Sequence, residues 1–202
     1  MARPVHYEDA GVRLDKYVVG PFDNNVWVVR CKRTGEAVLL DAANEHDLLI
    51  PVARAAGVRR VLTTHGHWDH IQAVTAARDA GIDVGVASPD AGMLPGYDFV
   101  VADKDTIEVG DLRLHALHTP GHTSGSTCFL LEGWPIVFSG DTLFPGGPGK
   151  TEGKKDFETI IRSIDERLFP LPADTLVFPG HGLDTTIGNE RPHLQEWAER
   201  GW

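Results

Sequence analysis

A chain of 202 residues and 22.0 kDa matches about one domain of ~150 residues and leaves no room for two full-sized ones. Apolar residues at 42% and charged residues at 24% are ordinary globular usage, which excludes a disordered or fibrous chain. With 19 basic against 29 acidic side chains the net charge is −10, so no long-range field draws the protein to phosphate backbones or anionic lipid.

The first third carries short β-branched runs at Leu14–Val19, Asn25–Cys31 and Glu36–Leu40, parted by Gly20-Pro21 and Thr34-Gly35. A helical pattern follows from Glu45 to Ala56, despite Pro51, and stops at Gly57. Val58–Thr63 reads as a strand. Apolar residues at Ile71, Val74, Ala77 and Ala80 then predict a helix over 70–80, closed by Gly81. Strand-like text resumes at Val84–Val86, Phe99–Val101, Leu112–Leu117, Cys128–Leu131 and Ile136–Phe138. A Gly/Pro-rich loop covers Phe144–Gly153. Beyond it lie a helix at Phe157–Leu168, a strand at Thr175–Phe178 and an amphipathic helix at Asn189–Arg200, anchored by Trp197 and Trp202. This mixed order predicts an α/β architecture, with sheets covered by helices, in a single domain over residues 1–202.

Cys31 and Cys128 lie far apart in apolar stretches and read as buried thiols. Met1–His6 has no apolar run behind its arginine, and no stretch nears the ~20 apolar residues of a membrane span. The expectation is a soluble, cytoplasmic protein with no membrane or nucleic-acid partner. Its oligomeric state cannot be read from the sequence.

The histidines are unevenly placed. After the strand at Val58–Thr63 comes Thr64-His65-Gly66-His67-Trp68-Asp69-His70, with four metal-competent side chains in six residues. In an extended strip positions i and i+2 project to the same side, so His65 and His67 can share one ion. Asp69 and His70 lie where the chain turns into helix and can point at a second. Three further segments repeat one format, an apolar strand end, a glycine and a ligand-type residue: Thr119-Pro120-Gly121-His122, Phe138-Ser139-Gly140-Asp141 and Phe178-Pro179-Gly180-His181. Together these segments supply five histidines and two aspartates, enough for two ions and a shared water. Imidazole and carboxylate donors without thiolates favour zinc first, then iron or manganese, in a catalytic site. His6, His46 and His193 read as surface residues, and His115 and His118 as ordinary strand residues.

This pattern of His65-x-His67-x-Asp69-His70, then His122, Asp141 and His181, resembles the metallo-β-lactamase-fold hydrolases. The wording Thr119–Ser126 and Gly140–Phe144 is similar to glyoxalase II, and Pro179–Gly182 with Thr185–Gly188 and Glu190 to its short bacterial relatives. The resemblance implies an αββα sandwich with two divalent ions at one edge of the sheets. It places His65, His67 and His122 on one ion, Asp69, His70 and His181 on the other, and Asp141 between them. It also implies hydroxide generated at neutral pH as nucleophile, oriented by Asp69, and a small-molecule (hydroxy)acyl thioester as substrate.

The sequence departs from the family at three points. Ala73 stands where the family motif has glycine, which bears on helix packing more than on metal. Only residues 189–202 follow Gly188, too few for the extra helical domain of classical glyoxalase II, so the thiol carrier stays open. Gly147-Pro148-Gly149-Lys150-Thr151 replaces a common Gly-Cys-Gly-Arg-Thr; Lys150 keeps the charge but lacks the planar fork that grips carboxylates. Lys150 and Trp68 are the candidate substrate contacts. The competing readings are a mononuclear iron persulfide dioxygenase of the same fold and a metal-binding protein with little catalysis.

Overall fold

The computed structural model describes residues 5–201. Its first sheet contains β1 (Val5–Glu8), β2 (Val12–Val19), β3 (Asn24–Cys31) and β4 (Ala37–Leu40), each antiparallel to the next. Helix α1 (His46–Ala56) then crosses over to β5 (Val58–Leu62), which is parallel to β4. Helices α2 (Trp68–Ile71) and α3 (Val74–Asp79) lead to β6 (Asp83–Val86) and β7 (Phe99–Val100), again parallel. The change in direction follows the connections, because parallel neighbours need a crossover and hairpins do not.

The second sheet begins with β8 (Thr106–Val109), β9 (Leu112–His118), β10 (Thr127–Leu131) and β11 (Ile136–Gly140). A small hairpin, β12 (Leu143–Phe144) and β13 (Gly147–Pro148), precedes α4 (Lys154–Ser163), which runs on as a π-helical turn over Ile164–Leu168. Next come β14 (Leu176–Pro179), β15 (Thr185–Thr186), α5 (Ile187–Glu190) and α6 (Leu194–Arg200). The sheet order is β15-β14-β11-β10-β9-β8, with β14 parallel to β11.

Strand alternation sorts the apolar side chains into layers. On β3, Trp27 and Val29 face the second sheet while Val26 and Val28 face α1 and α3. On β10, Phe129 and Leu131 meet the first sheet while Cys128 packs under α4 and α6. Trp27, Leu40, Leu62, Leu114, Phe129, Phe138 and Phe178 fill the space between the sheets. The result is the αββα sandwich. No helix among the described residues is long and apolar enough to cross a membrane.

The structure departs from the expected elements in several places. The helix expected over 70–80 breaks between α2 and α3, where the Gln72 and Ala73 amides donate to the carbonyls of Ala43 and Ala42 at 2.9 Å. Ala73 is buried with φ −91°, a conformation that does not need glycine. Strands β1 and β8 were not expected, and the glycine-rich loop contains the β12–β13 hairpin. The C-terminal helix is in two pieces, and α4 starts three residues early, at Lys154. Both cysteines and Trp197 are buried as expected; Trp202 lies outside the described residues.

Candidate metal centre

The C-terminal ends of β4, β5, β9, β11 and β14 and the N-terminal end of β3 open on the same edge of the sandwich. After β5 the chain passes through Thr64–His67 and turns into α2, which carries Asp69 and His70. His122 follows β9, Asp141 follows β11 and His181 follows β14. All seven candidate ligands therefore meet, from distances of up to 116 residues apart along the chain (181 − 65).

His65, His67 and His122 form one group: His122 Nε2 stands 2.8 Å from His67 Nδ1 and 3.2 Å from His65 Nε2. Asp69, His70 and His181 form another, with His70 Nε2 3.1 Å from His181 Nε2 and Asp69 Oδ2 3.4 Å from His181 Nε2. Asp141 lies between them. Its Oδ1 is 3.5 Å from His70 Nε2, and its Oδ2 is 3.5 Å from His181 Nε2 and 3.6 Å from His122 Nε2. Donors around a tetrahedral ion with bonds of about 2.0–2.1 Å stand about 3.3 Å apart, so both groups have the spacing of ligand shells.

Two features show that the residues fit such ions. Asp141 Oδ1 is buried without a hydrogen-bond partner among the described residues, which leaves a lone pair that a bound cation would satisfy. Gly180 keeps the space open, since a Cβ there would lie 2.8 Å from His70 Cε1 and would strike Asp141 Oδ1.

Four of the five imidazoles are held from behind. His70 Nδ1 lies 2.8 Å from Asp41 Oδ2, His122 Nδ1 donates to the Lys150 carbonyl at 2.6 Å, and His181 Nδ1 donates to the Phe22 carbonyl at 2.8 Å. Asp41 also accepts from the Thr64 amide at 2.7 Å and hydroxyl at 2.8 Å, and Thr64 Oγ1 stands 3.1 Å from His65 Nδ1. Asn24 Nδ2 donates to Asp69 Oδ2 at 2.9 Å. Asp90, fully buried, accepts from the Gly66 and Gly125 amides at 2.8 and 2.7 Å and from Thr123 Oγ1 at 2.6 Å. It ties the two ligand-bearing loops together.

These contacts set the protonation of the two groups. Burial pushes the His65 imidazole far down, reinforced by its imidazole neighbours, and burial with His122 also lowers His67. Burial would lower His70 as well, but Asp41, Asp141 and Asp69 outweigh it and raise it to about 9. For His181, burial is likewise outweighed, by the Asp69 hydrogen bond, and the shift is upward. Burial would raise Asp69, yet the bonds from His181 and Asn24 hold it well below the usual carboxylate range.

Asp41, Asn24 and Asp90 were missed from sequence. Asp41 follows an apolar strand end like the other ligand-type residues but lacks the glycine marker. Lys150 presents its carbonyl to His122 while its side chain is exposed, and Trp68 is exposed beside the Asp69 end. His46 and His193 lie on the surface, as does His6, which pairs with Asp184 at 2.5 Å. His118 Nε2 donates to the Ser124 carbonyl at 2.9 Å and steadies the loop that bears His122.

The family model for the metallo-β-lactamase superfamily matches residues 19–181, a span that includes every candidate ligand. The chain belongs to this superfamily. Among its relatives are a hydroxyacylglutathione hydrolase of Polaromonas sp., 38% identical over 79% of this chain, and the hydroxyacylglutathione hydrolase GloC of Haemophilus influenzae, 30% identical over 77%. The matches cover 62% of the Polaromonas protein and 84% of GloC, so the chain spans under two thirds of the longer enzyme. Among solved structures it is similar to the BLEG-1 B3 metallo-β-lactamase, with a TM-score of 0.80, 28% identity and coverage of 89% of this chain and 97% of that one. The ETHE1 protein of Myxococcus xanthus gives 0.77 at 28% identity, covering 90% and 82%. The protein TTHA1623, solved in a di-iron-bound form, gives 0.73 at 27%, covering 87% and 96%. Superfamily proteins bind divalent metals, and the His/Asp cluster here has the donors to hold one.

Proposed function

We propose that this metallo-β-lactamase superfamily member is a glyoxalase II-like thioesterase, a single domain that cleaves a small (hydroxy)acyl thioester. One observation carries the reading: Asp141 faces imidazoles of both groups at 3.5–3.6 Å, the placement of a carboxylate shared between two ions. The seven donors suit two first-row divalent ions, zinc first, with iron or manganese as alternatives. Bound there, such ions would supply Lewis acidity, polarising a carbonyl oxygen and lowering the pKa of water towards ~7.

The chain's own residues supply position and charge. Asn24 holds the Asp69 carboxylate in one orientation, ready to accept a hydrogen bond from the attacking water. Asp41 and the Phe22 carbonyl fix His70 and His181, so the second group keeps its shape through turnover. In the reaction a C–O bond to water forms and the C–S bond breaks. The thiolate takes one of the water's protons, and the acid product gives up the other to solvent. A thiolate leaves near neutral pH without a strong general acid, which matches a centre built of metal ligands and a single orienting carboxylate.

A mononuclear iron dioxygenase of this fold needs one ion and gives Asp69 and His181 no metal to bind. The hydrogen bonds that aim both residues at the second group favour the hydrolase. The test is anaerobic hydrolysis of a thioester panel by zinc-reconstituted protein, run beside oxygen uptake on a persulfide by the iron form. Hydrolysis by the zinc form is expected. No hydrolysis, with brisk uptake by the iron form, overturns the reading.

A further inference from the structure

At the Asp69–His181 end of the centre the protein leaves apolar side chains in the open. Phe22 and Trp68 are each 55% exposed and Leu183 is 79% exposed. The two aromatic rings meet edge to face, with centroids 5.3 Å apart and planes at 84°. All three ride on backbone fixed to the centre. The Phe22 carbonyl accepts from His181 Nδ1 at 2.8 Å, and Trp68 is the residue between His67 and Asp69. Leu183 follows Gly182, whose carbonyl accepts from Lys16 Nζ at 2.8 Å and Asn25 Nδ2 at 3.0 Å. Large apolar side chains held open beside reactive groups mark a binding surface.

The opposite end differs in chemistry. Beside His67 and His122 lies a cleft of about 430 Å³, lined by Thr123, Glu152, Lys155 and Asp156 together with Met93 and Pro120. A thioester sends two arms away from its carbonyl, and a centre flanked by an aromatic rim on one side and a cleft bearing charged groups on the other sorts them by polarity. An apolar arm in that cleft would strip water from Glu152, Lys155 and Asp156, a cost that its contacts with Met93 and the prolines offset only in part. Across the aromatic rim it buries apolar surface on both partners.

Resting on the thioesterase reading, we infer that Phe22 and Trp68 form the acyl-binding rim and that the substrates are thioesters of apolar acyl groups, with the polar thiol arm in the His67–His122 cleft. The side chain that enters from the rim sets specificity by its apolar area. The proposal names the substrate class and leaves the hydrolytic step unchanged.

The test compares octanoyl and acetyl thioesters of one small carrier, N-acetylcysteamine, with the metal-loaded protein. The readout is the ratio of their kcat/KM values, which cancels any general loss of metal or fold. The wild-type ratio is expected to exceed about 10, to fall about 10-fold in Phe22→Ala and Trp68→Ala, and to recover in Trp68→Phe. A wild-type ratio near one, or a ratio unmoved by Phe22→Ala, overturns the rim, including in favour of a rim that docks another protein. If no thioester is turned over, the thioesterase reading falls separately. The rim is then judged by calorimetric titration with octanoate and acetate. Octanoate binding that is lost in Phe22→Ala supports it, and equal or absent binding of the two acids overturns it.

Discussion

Asp41 Oδ2 stands 2.8 Å from His70 Nδ1 beneath the metal centre, and neither side chain reaches solvent. Asp41 holds this place with φ 61°, a left-handed conformation that disfavours a side chain. Its carboxylate compensates through the Thr64 amide and hydroxyl as well as His70, so one residue braces both ligand groups. A carboxylate behind a ligating imidazole fixes the ring and raises its basicity.

Replacing Asp41 with Asn removes the charge that supports His70. The second group's metal affinity should fall by about 10–100-fold, the usual cost of losing such a partner. Chelator competition with the wild type and Asp41→Asn measures it. Equal affinities would mean that the buried carboxylate serves the fold alone.

The two ligand groups should differ in their response to pH. His65 and His67 are pushed down and are neutral at pH 7, so an ion entering there displaces no proton from them. His70, raised to about 9, holds a proton that an ion must expel, and His181 is shifted in the same direction. Affinity at the second group should therefore weaken as pH falls below about 9, while the first weakens only in more acid solution. For the metal-free protein the sign is opposite. A raised folded-state pKa stabilises below the unfolded value of 6.5 and loses that stabilisation as pH rises through about 9. Calorimetry in buffers of different ionisation enthalpy counts the protons. Equal release at the two binding steps would contradict the asymmetry.

Asp90 satisfies two buried amides and a hydroxyl from the loops that carry His65 to His67 and His122. Asp90→Ala leaves those amides unpaired at about 1–3 kcal/mol each. For a chain of this size each kcal/mol moves Tm by about 2–4 °C, so a fall of about 4 °C or more is expected. Metal binding should weaken with it. An unchanged melting curve would show that the loops are held elsewhere.

The ligand-bearing edge was legible in sequence because strand ends, glycines and His or Asp residues recur there in one local format. The sandwich was legible only through resemblance, since local patterns give strands but not which sheet each joins. The helix expected over 70–80 fails for a tertiary reason, as the loop after Asp41 captures the amides of Gln72 and Ala73. Strand β1 escaped notice because an exposed edge strand carries little apolar signal. Asp41, Asn24 and Asp90 were invisible for the same underlying cause. Their partners lie 23–45 residues away along the chain, and nothing local marks a carboxylate or amide that works by bracing another residue.

Histidines that look alike in composition should separate sharply in function. His67→Ala removes a donor from the first group and should lower thioester turnover by several orders of magnitude. His46→Ala and His193→Ala change exposed side chains away from the centre, His46 beside Asp47 and His193 beside Glu196 and Trp197, and should leave turnover within about twofold. Parallel kinetics on the three variants, with metal content measured on each, decides it. Comparable losses in all three would mean that the clustered histidines are not the reactive ones.

Asp141 offers the sharpest test of a two-ion centre. The wild-type protein should take up close to two equivalents of zinc, since seven donors exceed one four- to six-coordinate ion. Asp141→Asn keeps the size of the side chain and the six other donors, and removes only the charge that faces His70, His122 and His181. If that charge is shared, both ions should bind more weakly, and turnover should collapse although each group retains its three other ligands. If Asp141 serves a single ion, one equivalent should be lost and the other should bind as in the wild type. Metal titration of the two proteins, followed by thioester assay at saturating zinc, separates these outcomes. One equivalent in the wild type, or full turnover by Asp141→Asn at saturation, would remove the shared carboxylate and the binuclear reading with it.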